Sequence, residues 1–289
     1  MAIVYDRLIN YPIPEVRQAL RWQDVALYNF SVGLGQDPMD EKQLDFLYEP
    51  RLKVMPSMPV VLGSPGFWSR NADTGIDWVK IVHGEQGLIL HKPLPTEGEI
   101  IGRSRITGLV DRGEGKGALM YSEREVIDAK TGEKLATLTS TSFLRGDGGF
   151  AGPSGPVKQP HAEPDRAPDI TLDMATRPEQ ALVYRLNSDL NPLHIDPQVA
   201  KSAGFPRPIL HGLCTFGTVC HALLRGLCDY DVEKFGRMDL RFSSPVYPGE
   251  TIRTEIWNEA GGAAFRARVV ERDKIVVSNG LFRFKGAAS

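Results

Sequence analysis

A segment rich in proline and glycine, residues 146–169, is the feature that most restricts how this 289-residue chain can fold. Closely spaced prolines do not allow a continuous helix or a central strand, so the segment is predicted to be a linker. It leaves residues 1–145 and 170–289 on its two sides, and each is about the size of a small domain. The chain is therefore predicted to contain two domains.

The two predicted domains share the order of their sequence patterns. Residues 93–99 (Pro-Leu-Pro-Thr-Glu-Gly-Glu) precede an alternating apolar and polar run, and residues 245–250 (Pro-Val-Tyr-Pro-Gly-Glu) precede a second one. Alternation at every second position is typical of half-buried strands in an antiparallel sheet. The shared order indicates an internal duplication. Further strands are predicted at 118–127, 134–144, 263–271 and 274–284.

Helical patterns in the second domain come before these strands. Asp196-Pro197 is a good start and Gly204 a good end for a short helix over residues 197–203. A longer helix follows, because large apolar side chains recur at helical spacing on one face. These are Leu213, Phe216, Cys220, Leu223, Leu224 and Leu227. One apolar helix followed by an antiparallel sheet predicts an α+β hot-dog fold, and two tandem copies predict a double hot-dog.

Residues 184–194 (Tyr-Arg-Leu-Asn-Ser-Asp-Leu-Asn-Pro-Leu-His) contain the strongest candidate for chemistry. They follow a short apolar run that we interpret as a buried strand. Pro192 disfavours helix at Asn191, so the chain is expected to turn there and to bring Asp189 and His194 together. A carboxylate and an imidazole that converge on one small volume suit proton transfer. The same residue types are also common in turns that have no function, and the spacing alone leaves that alternative open.

The stretch resembles the signature of type-2 enoyl-CoA hydratases and the related MaoC-like dehydratases, in which Asp-x-Asn-Pro-Leu-His follows an aromatic residue. Asp189, Asn191 and His194 would be the catalytic residues, with Asn191 fixing the turn or the imidazole. One departure is Ser188, where the family usually has glycine, and glycine tolerates backbone conformations that serine does not. The resemblance covers most of the chain and implies a double hot-dog that acts on acyl-CoA thioesters.

His211-Gly212 precedes the long predicted helix, and the segment from Phe205 to Gly212 resembles a loop of MaoC-like enzymes. N–H groups in the first turn of a helix have no partner within the helix, and the helix dipole places partial positive charge there. The N–H of Gly212 is therefore a candidate oxyanion donor. His211 itself is expected to be structural. Arg207 and Lys201 are weaker candidates for binding the CoA phosphates.

The first domain provides candidates for substrate binding and an internal comparison. Met55 and Met58 lie in an apolar run that suits an adaptable acyl pocket, although such runs are more often ordinary core. His83 belongs to a His-Gly-Glu-Gln sequence that resembles a motif of the family's N-terminal domain, where a structural role is favoured over a catalytic one. Asp40 stands where the second domain has His194, which predicts one active site per chain. The resemblance to type-2 hydratases implies that the N-terminal domain accommodates the acyl chain.

Composition excludes several other classes of protein. The net charge of −2 gives no broad attraction to nucleic acid or to anionic membranes. No segment approaches the roughly 18 consecutive apolar residues of a membrane span, and no signal peptide is recognised, so a cytoplasmic location is expected. Three cysteines in one stretch are expected to be free thiols. No metal-ligand cluster or dinucleotide fingerprint is found, so neither a metal nor a cofactor is expected.

The residues and the resemblance together predict a hydro-lyase that reversibly hydrates trans-2-enoyl-CoA, and the resemblance implies that the product is the (3R)-3-hydroxyacyl-CoA. One alternative is a dehydratase of a branched, dicarboxylic, sterol-derived or carrier-protein-bound 3-hydroxyacyl thioester. A second is a protein that binds acyl thioesters without turnover, and a thioesterase is less favoured because the hydratase-like motif would then be accidental. The expected partner is the acyl-CoA substrate. Both a monomer and a homodimer are compatible with a double hot-dog.

Overall fold

The computed structural model describes residues 2–287, and its ten strands form one antiparallel sheet. The order across the sheet is β1-β3-β4-β5-β2-β7-β10-β9-β8-β6. The first five strands of the chain fill one half of this order and the last five fill the other in the mirrored sequence. The strands are β1 (Val16–Leu20), β2 (Ile81–Leu90), β3 (Gly98–Asp111), β4 (Ala118–Asp128), β5 (Lys134–Leu144), β6 (Ile170–Ala175), β7 (Phe235–Phe242), β8 (Thr251–Glu259), β9 (Gly262–Val269) and β10 (Lys274–Phe284).

Six α-helices and several short 3-10 segments complete the described part of the chain. The predicted strands coincide with β4, β5, β9 and β10 to within two residues at each end. The two predicted helices of the second half are also confirmed as α5 and α6. The helices are α1 (Tyr5–Ile9), α2 (Trp22–Ser31), α3 (Glu41–Leu44), α4 (Gln180–Tyr184), α5 (Pro197–Ser202) and α6 (Gly212–Cys228).

The predicted strand immediately before the motif is wrong, because residues 180–184 form the helix α4. Ala181 and Tyr184 are buried three residues apart, while Leu182 between them is exposed. This is the burial pattern of a helix. An apolar run of four residues is too short to distinguish a helix from a strand by its periodicity.

The helix α6 lies against the inner face of the second half of the sheet and contacts β6, β7 and β8. Its apolar face, including Phe216 and Leu223, is fully buried in the main core. The three cysteines lie on this helix, and all are buried and free, as predicted. None of the helices in the described residues is long and apolar enough to cross a membrane.

The two halves are joined by strand pairing and by helix packing. Strands β2 and β7 pair from Glu85 opposite Arg241 to Ile89 opposite Arg237. On the inner face, Gly217 of α6 lies against Val32, so closely that a Cβ at Gly217 would overlap the Val32 side chain. The sheet is therefore continuous across the halves, and α6 contacts both.

Residues 145–169 contain neither helix nor strand and cross the outer face of the sheet. The N–H of Lys158 donates to the Tyr121 hydroxyl at 3.4 Å, and the amide of Asn279 donates to the carbonyl of His161 at 2.8 Å. The segment thus contacts strands of both halves.

Candidate active site

The sequence around Asp189 forms a tight corner between α4 and α5. Ser188 follows a 3-10 turn and has a left-handed backbone, with φ of +79°. Beyond the corner, the N–H of Asn191 donates to the Asp189 carboxylate at 3.2 Å, and the Asn191 side chain accepts from the N–H of Leu193 at 3.1 Å. Asn191 therefore fixes the turn, which is one of the two roles predicted for it.

The backbone conformation of Ser188 explains why the family signature usually has glycine at this position. A left-handed backbone is open to glycine at little cost but is unfavourable for residues with a Cβ. The departure from the signature therefore leaves the corner intact and stores some backbone strain in it.

His194 is buried at the end of the corner, and its ring Nδ1 lies 2.8 Å from the carbonyl oxygen of Ile209. Because a carbonyl only accepts, Nδ1 carries the proton, and Nε2 of the neutral ring has a free lone pair. Burial lowers the pKa of His194, partly offset by the hydrogen bond to Ile209 and by the charge of Asp189. The ring is thus held neutral, in a tautomer that can accept a proton at Nε2.

His211 stacks directly on His194, with ring centroids 3.8 Å apart and an angle of 29° between the planes. Its Nε2–H donates to the backbone carbonyl of Asp189 at 3.2 Å. Burial, followed by the neighbouring His194, lowers the pKa of His211 to about 4. His211 is fully buried and holds the peptide of Asp189, which agrees with a structural role but places it inside the cluster.

Asp189, His194 and His211 form the candidate cluster. One polar side-chain atom from each lies within 4.8 Å of the others. Asp189 is half-buried, so the cluster reaches solvent at the carboxylate. These residue types can also bind zinc. The two imidazole rings are stacked, however, whereas two ligating rings direct their lone pairs at one point. The expectation of chemistry without a metal or cofactor stays a prediction.

Gly212 is the first residue of α6 and lies directly after His211. Within residues 2–287, its N–H has no hydrogen-bond acceptor. A Cβ built on Gly212 would lie 3.6 Å from the ring of Phe242, at ordinary contact distance. The first turn of α6 therefore offers a free N–H and the positive end of the helix dipole beside the cluster.

His83 reaches the same region from the first half of the chain. Its ring packs edge-on against Phe242 with centroids 5.1 Å apart, and its Nε2 donates to the carbonyl of Glu85 at 3.1 Å. Burial lowers the pKa of His83, and Asp189 is among the groups that partly offset this effect. The structure thus brings His83 near the cluster, where it forms part of the wall.

The other predicted binding residues lie outside the cluster. Lys201 is exposed on α5, and Arg207 is exposed, donates to the carbonyl of Pro248 at 3.0 Å and lies over the Tyr247 ring. Met55 and Met58 are buried in the main core. The roles predicted for these four residues in CoA and acyl binding stay predictions.

Sequence analysis missed two aromatic contributors to the site. Phe242 lies beside Gly212 and His83, and the Tyr184 ring lies 5.0 Å from His211. Tyr184 is the aromatic residue at the start of the motif, so its position could have indicated a contact. Phe242 reaches the site only through the pairing of β7 with β2, which the local sequence does not reveal.

Asp40, the counterpart of His194 in the first half, has a different task. Its carboxylate accepts from the N–H groups of Lys42 and Gln43 and so caps α3. The first half therefore uses this position for a helix cap and contains no acid and imidazole pair there.

A continuous sheet around one long helix, with an acid and two imidazoles at the helix N-terminus, defines a double hot-dog protein of the dehydratase type. Two family models match the chain: the MFE-2 hydratase 2 N-terminal domain at residues 19–146 and the MaoC like domain at residues 158–280. The chain therefore belongs to the MaoC-like dehydratase family, with a hydratase 2 N-terminal domain.

Relatives along nearly the whole chain agree with this assignment. A peroxisomal enoyl-CoA hydratase 2 of Arabidopsis thaliana is 36% identical over 98% of this chain and 96% of its own length. The 3-hydroxyacyl-thioester dehydratase Y of Mycobacterium tuberculosis is 37% identical over 91% of this chain and 93% of its own. The crystal structure of a MaoC-like dehydratase from Phytophthora capsici superposes with a TM-score of 0.87 at 34% identity, covering 99% of this chain and all of that one.

Proposed function

We propose that this hydro-lyase adds water reversibly across the double bond of a trans-2-enoyl-CoA and forms the (3R)-3-hydroxyacyl-CoA. The observation that carries the proposal is the convergence of Asp189 and His194 beside the free N–H of Gly212. The names of the relatives, which are a hydratase and a thioester dehydratase, support the reaction class.

The geometry suits each part of the reaction. Asp189 and the free Nε2 of His194 accept hydrogen bonds from one water, whose oxygen bonds to C3 of the substrate. The pair takes the proton from this water, and C2 gains a proton, so that one water is consumed overall. Negative charge builds on the thioester oxygen meanwhile, and the N–H of Gly212 stabilises it.

A second candidate is the reverse reaction on a specialised substrate, and the identity to 3-hydroxyacyl-thioester dehydratase Y favours keeping it. The same residues would then return a proton to the leaving hydroxyl. A protein that binds thioesters without turnover is less favoured. It would have no need for a neutral imidazole with a free lone pair beside a half-buried carboxylate.

The location and the assembly of the protein stay predictions. The Arabidopsis relative is named as peroxisomal, which gives no support to the expected cytoplasmic location. The homodimer that the sequence allows is likewise left to solution measurements of mass.

The test follows the ultraviolet absorbance of the conjugated enoyl thioester when purified protein is mixed with crotonyl-CoA or trans-2-decenoyl-CoA. The proposal expects the absorbance to fall to an equilibrium level and chiral analysis to find the 3R product. A 3S product would contradict the proposed course of the reaction. If neither thioester is hydrated although a specialised 3-hydroxyacyl thioester is dehydrated, the second candidate replaces the first.

A further inference from the structure

Arg124 is a cation on the inner face of the first half of the sheet. Its neighbours on β4, Glu123 and Glu125, face the outer side, where they pair with Arg105 at 2.8 Å and with Lys134 at 2.6 Å. Arg124 faces the opposite side because side chains alternate along a strand.

On two sides the neighbours of Arg124 on this inner face are apolar, whereas Ser104 of β3 lies opposite it. Leu138 pairs with Arg124 across β5, and Val126 lies two residues along β4; both belong to the main core. The carboxylates of Glu123 and Glu125 lie on the outer face and therefore do not balance the charge of Arg124.

The guanidinium of Arg124 has no carboxylate partner among residues 2–287. Its Nη2 donates to the carbonyls of Val60 at 2.6 Å and Pro59 at 3.4 Å, while its Nε is buried without a hydrogen bond. A guanidinium has five N–H donors, so these contacts leave several of them free. Burial lowers the pKa of Arg124 to about 10, which still leaves the group charged at neutral pH.

Arg124 is half-buried as a whole, and a charge that is partly withdrawn from water without a counterion destabilises a fold unless something else pairs with it. The free donors of Arg124 have the fork geometry that binds carboxylates. An anionic ligand on the inner face would therefore satisfy a cation that the protein itself leaves unpaired.

Polar side chains extend from Arg124 towards the candidate active site. Ser122 and Ser140 pair across β4 and β5 on the same face, are half-buried, and share a hydrogen bond of 2.7 Å. Ser142 follows two residues further along β5 and pairs with His83 of the site wall. The inner face of the first half thus carries hydroxyl groups between the site and the cation.

The second half has an apolar surface at the equivalent place. The strand β9 takes the place of β4 in the mirrored strand order, and its inner-face residues Ala263, Phe265 and Ala267 are buried in the core. The cation and the serines are thus particular to the half that carries no acid and imidazole pair.

We propose that the inner face of the first half binds an acyl tail that carries a carboxylate near its far end, and that Arg124 pairs with this carboxylate. The proposal rests on the proposed function, since it specifies the substrate of the same site. His83 of β2 pairs with Ser142 of β5, and Arg124 of β4 pairs with Leu138 of the same strand. His83 and Arg124 are therefore separated by two strand spacings across the sheet and by four residues along β5. On a regular sheet this corresponds to about 16 Å between Cα atoms, within reach of a medium-chain acyl group.

The test compares trans-2-dodecenedioyl-CoA with trans-2-dodecenoyl-CoA, which differ only in the terminal carboxylate. Wild type is expected to have the higher kcat/KM for the diacid thioester. Arg124→Met should lower that kcat/KM about 10- to 100-fold, as expected for a lost hydrogen bond to a charged group, and should change the monoacid value little. Arg124→Lys should retain part of the preference. Arg105→Met, on the outer face of the same sheet, is the matched control and should retain all of it.

Binding of the saturated dodecanedioyl-CoA and dodecanoyl-CoA, measured by titration calorimetry, separates this proposal from the proposed function. Tighter binding of the diacid by wild type but not by Arg124→Met supports the role of Arg124 even if neither enoyl thioester is hydrated. Hydration of both substrates with equal kcat/KM, and equal binding of the two saturated thioesters, would overturn it. An equal loss for both substrates in a folded Arg124→Met protein would overturn it as well. If Arg124→Met fails to fold, the wild-type preference and Arg124→Lys decide the question.

Discussion

Ser188 holds a left-handed backbone at the corner that positions Asp189. Serine has a Cβ that disfavours this conformation, and the strain falls on the residue immediately before the candidate catalytic carboxylate. The strained residue is exposed, so a substitution there changes the backbone preference without disturbing the core.

We predict that Ser188→Gly stabilises the protein. The free energy gained by relieving the left-handed strain exceeds the entropic cost of ordering glycine, which is more flexible in the unfolded chain. The net gain in the free energy of unfolding is about 0.5–1 kcal/mol. Urea unfolding measures the change. Ser154→Gly is the control, because Ser154 is exposed and its φ is not positive, so glycine there should destabilise slightly. Equal effects of the two substitutions would show that Ser188 is not strained.

Individual residues show what the sequence could and could not predict about the site. A proline turn and a helix start are local signals, and together with the resemblance to the family signature they indicate Asp189, His194 and Gly212 as candidates. The stacking of His211 on His194, the approach of Phe242 and the isolation of Arg124 all depend on contacts between segments far apart in the chain. No local pattern contains that information.

At the level of elements, two buried imidazoles are associated with α6: one belongs to the residue that precedes the helix, and the other lies in its interior. His211 precedes the helix, and His221 is bonded through Nε2 to the Tyr230 hydroxyl at 3.0 Å. Burial lowers the pKa of each to about 4. The helix therefore remains buried with both rings neutral.

The stability of the fold should accordingly decrease in mild acid. Both rings titrate near pKa 6.5 in the unfolded chain, so that state takes up protons first as the pH falls. The contribution of the buried rings is complete above about pH 6.5 and is lost towards pH 4, on the order of several kcal/mol in total.

His221→Gln tests the share of the interior imidazole, and urea unfolding between pH 8 and pH 4 measures it. Glutamine can still bond Tyr230 but does not titrate. Below about pH 6, the slope of the unfolding free energy against pH should therefore correspond to about one proton fewer taken up on unfolding than in wild type. Its slope between pH 7 and pH 8 should equal that of wild type, since His221 is neutral in both states there. An unchanged slope in acid would show that His221 does not titrate on unfolding.

Long periodic elements were predicted more reliably than short ones. The apolar face of α6 spans several turns, and the strands β4, β5, β9 and β10 are eight residues or longer, so their sequence patterns extend over enough residues to be recognised. For the five-residue helix α4 the sequence wrongly predicts a strand, because its apolar run is shorter than two helical turns.

At the scale of the whole molecule, α6 contacts the first half through the close approach of Gly217 to Val32. The helix belongs to the half with the candidate catalytic pair, whereas Val32 follows α2 of the other half. The contact is therefore part of the interface between the two halves.

We predict that Gly217→Ala destabilises the protein by about 1–3 kcal/mol, because its Cβ overlaps Val32. Val32→Ala alone should also destabilise, by leaving a cavity. Because Val32→Ala makes room for the new Cβ, and that Cβ partly fills the cavity, the double variant should lose less than the sum of the two single losses. Strict additivity in urea unfolding would contradict direct contact between these residues.

The paired halves also explain why one active site per chain is expected. The second half places Asp189 and His194 at a helix N-terminus, whereas the equivalent position of the first half, Asp40, caps a short helix. The chain thus provides its own control for any test of the catalytic assignment.

The most direct test measures the turnover of trans-2-decenoyl-CoA by wild type, Asp189→Asn, His194→Gln and Asp40→Asn. The first two variants should lose about 10²- to 10⁴-fold in kcat while retaining the folded circular-dichroism spectrum, because each removes one proton-transfer group. Asp40→Asn should retain near-normal kcat. Near-normal turnover in Asp189→Asn or in His194→Gln would contradict the assignment of the catalytic pair.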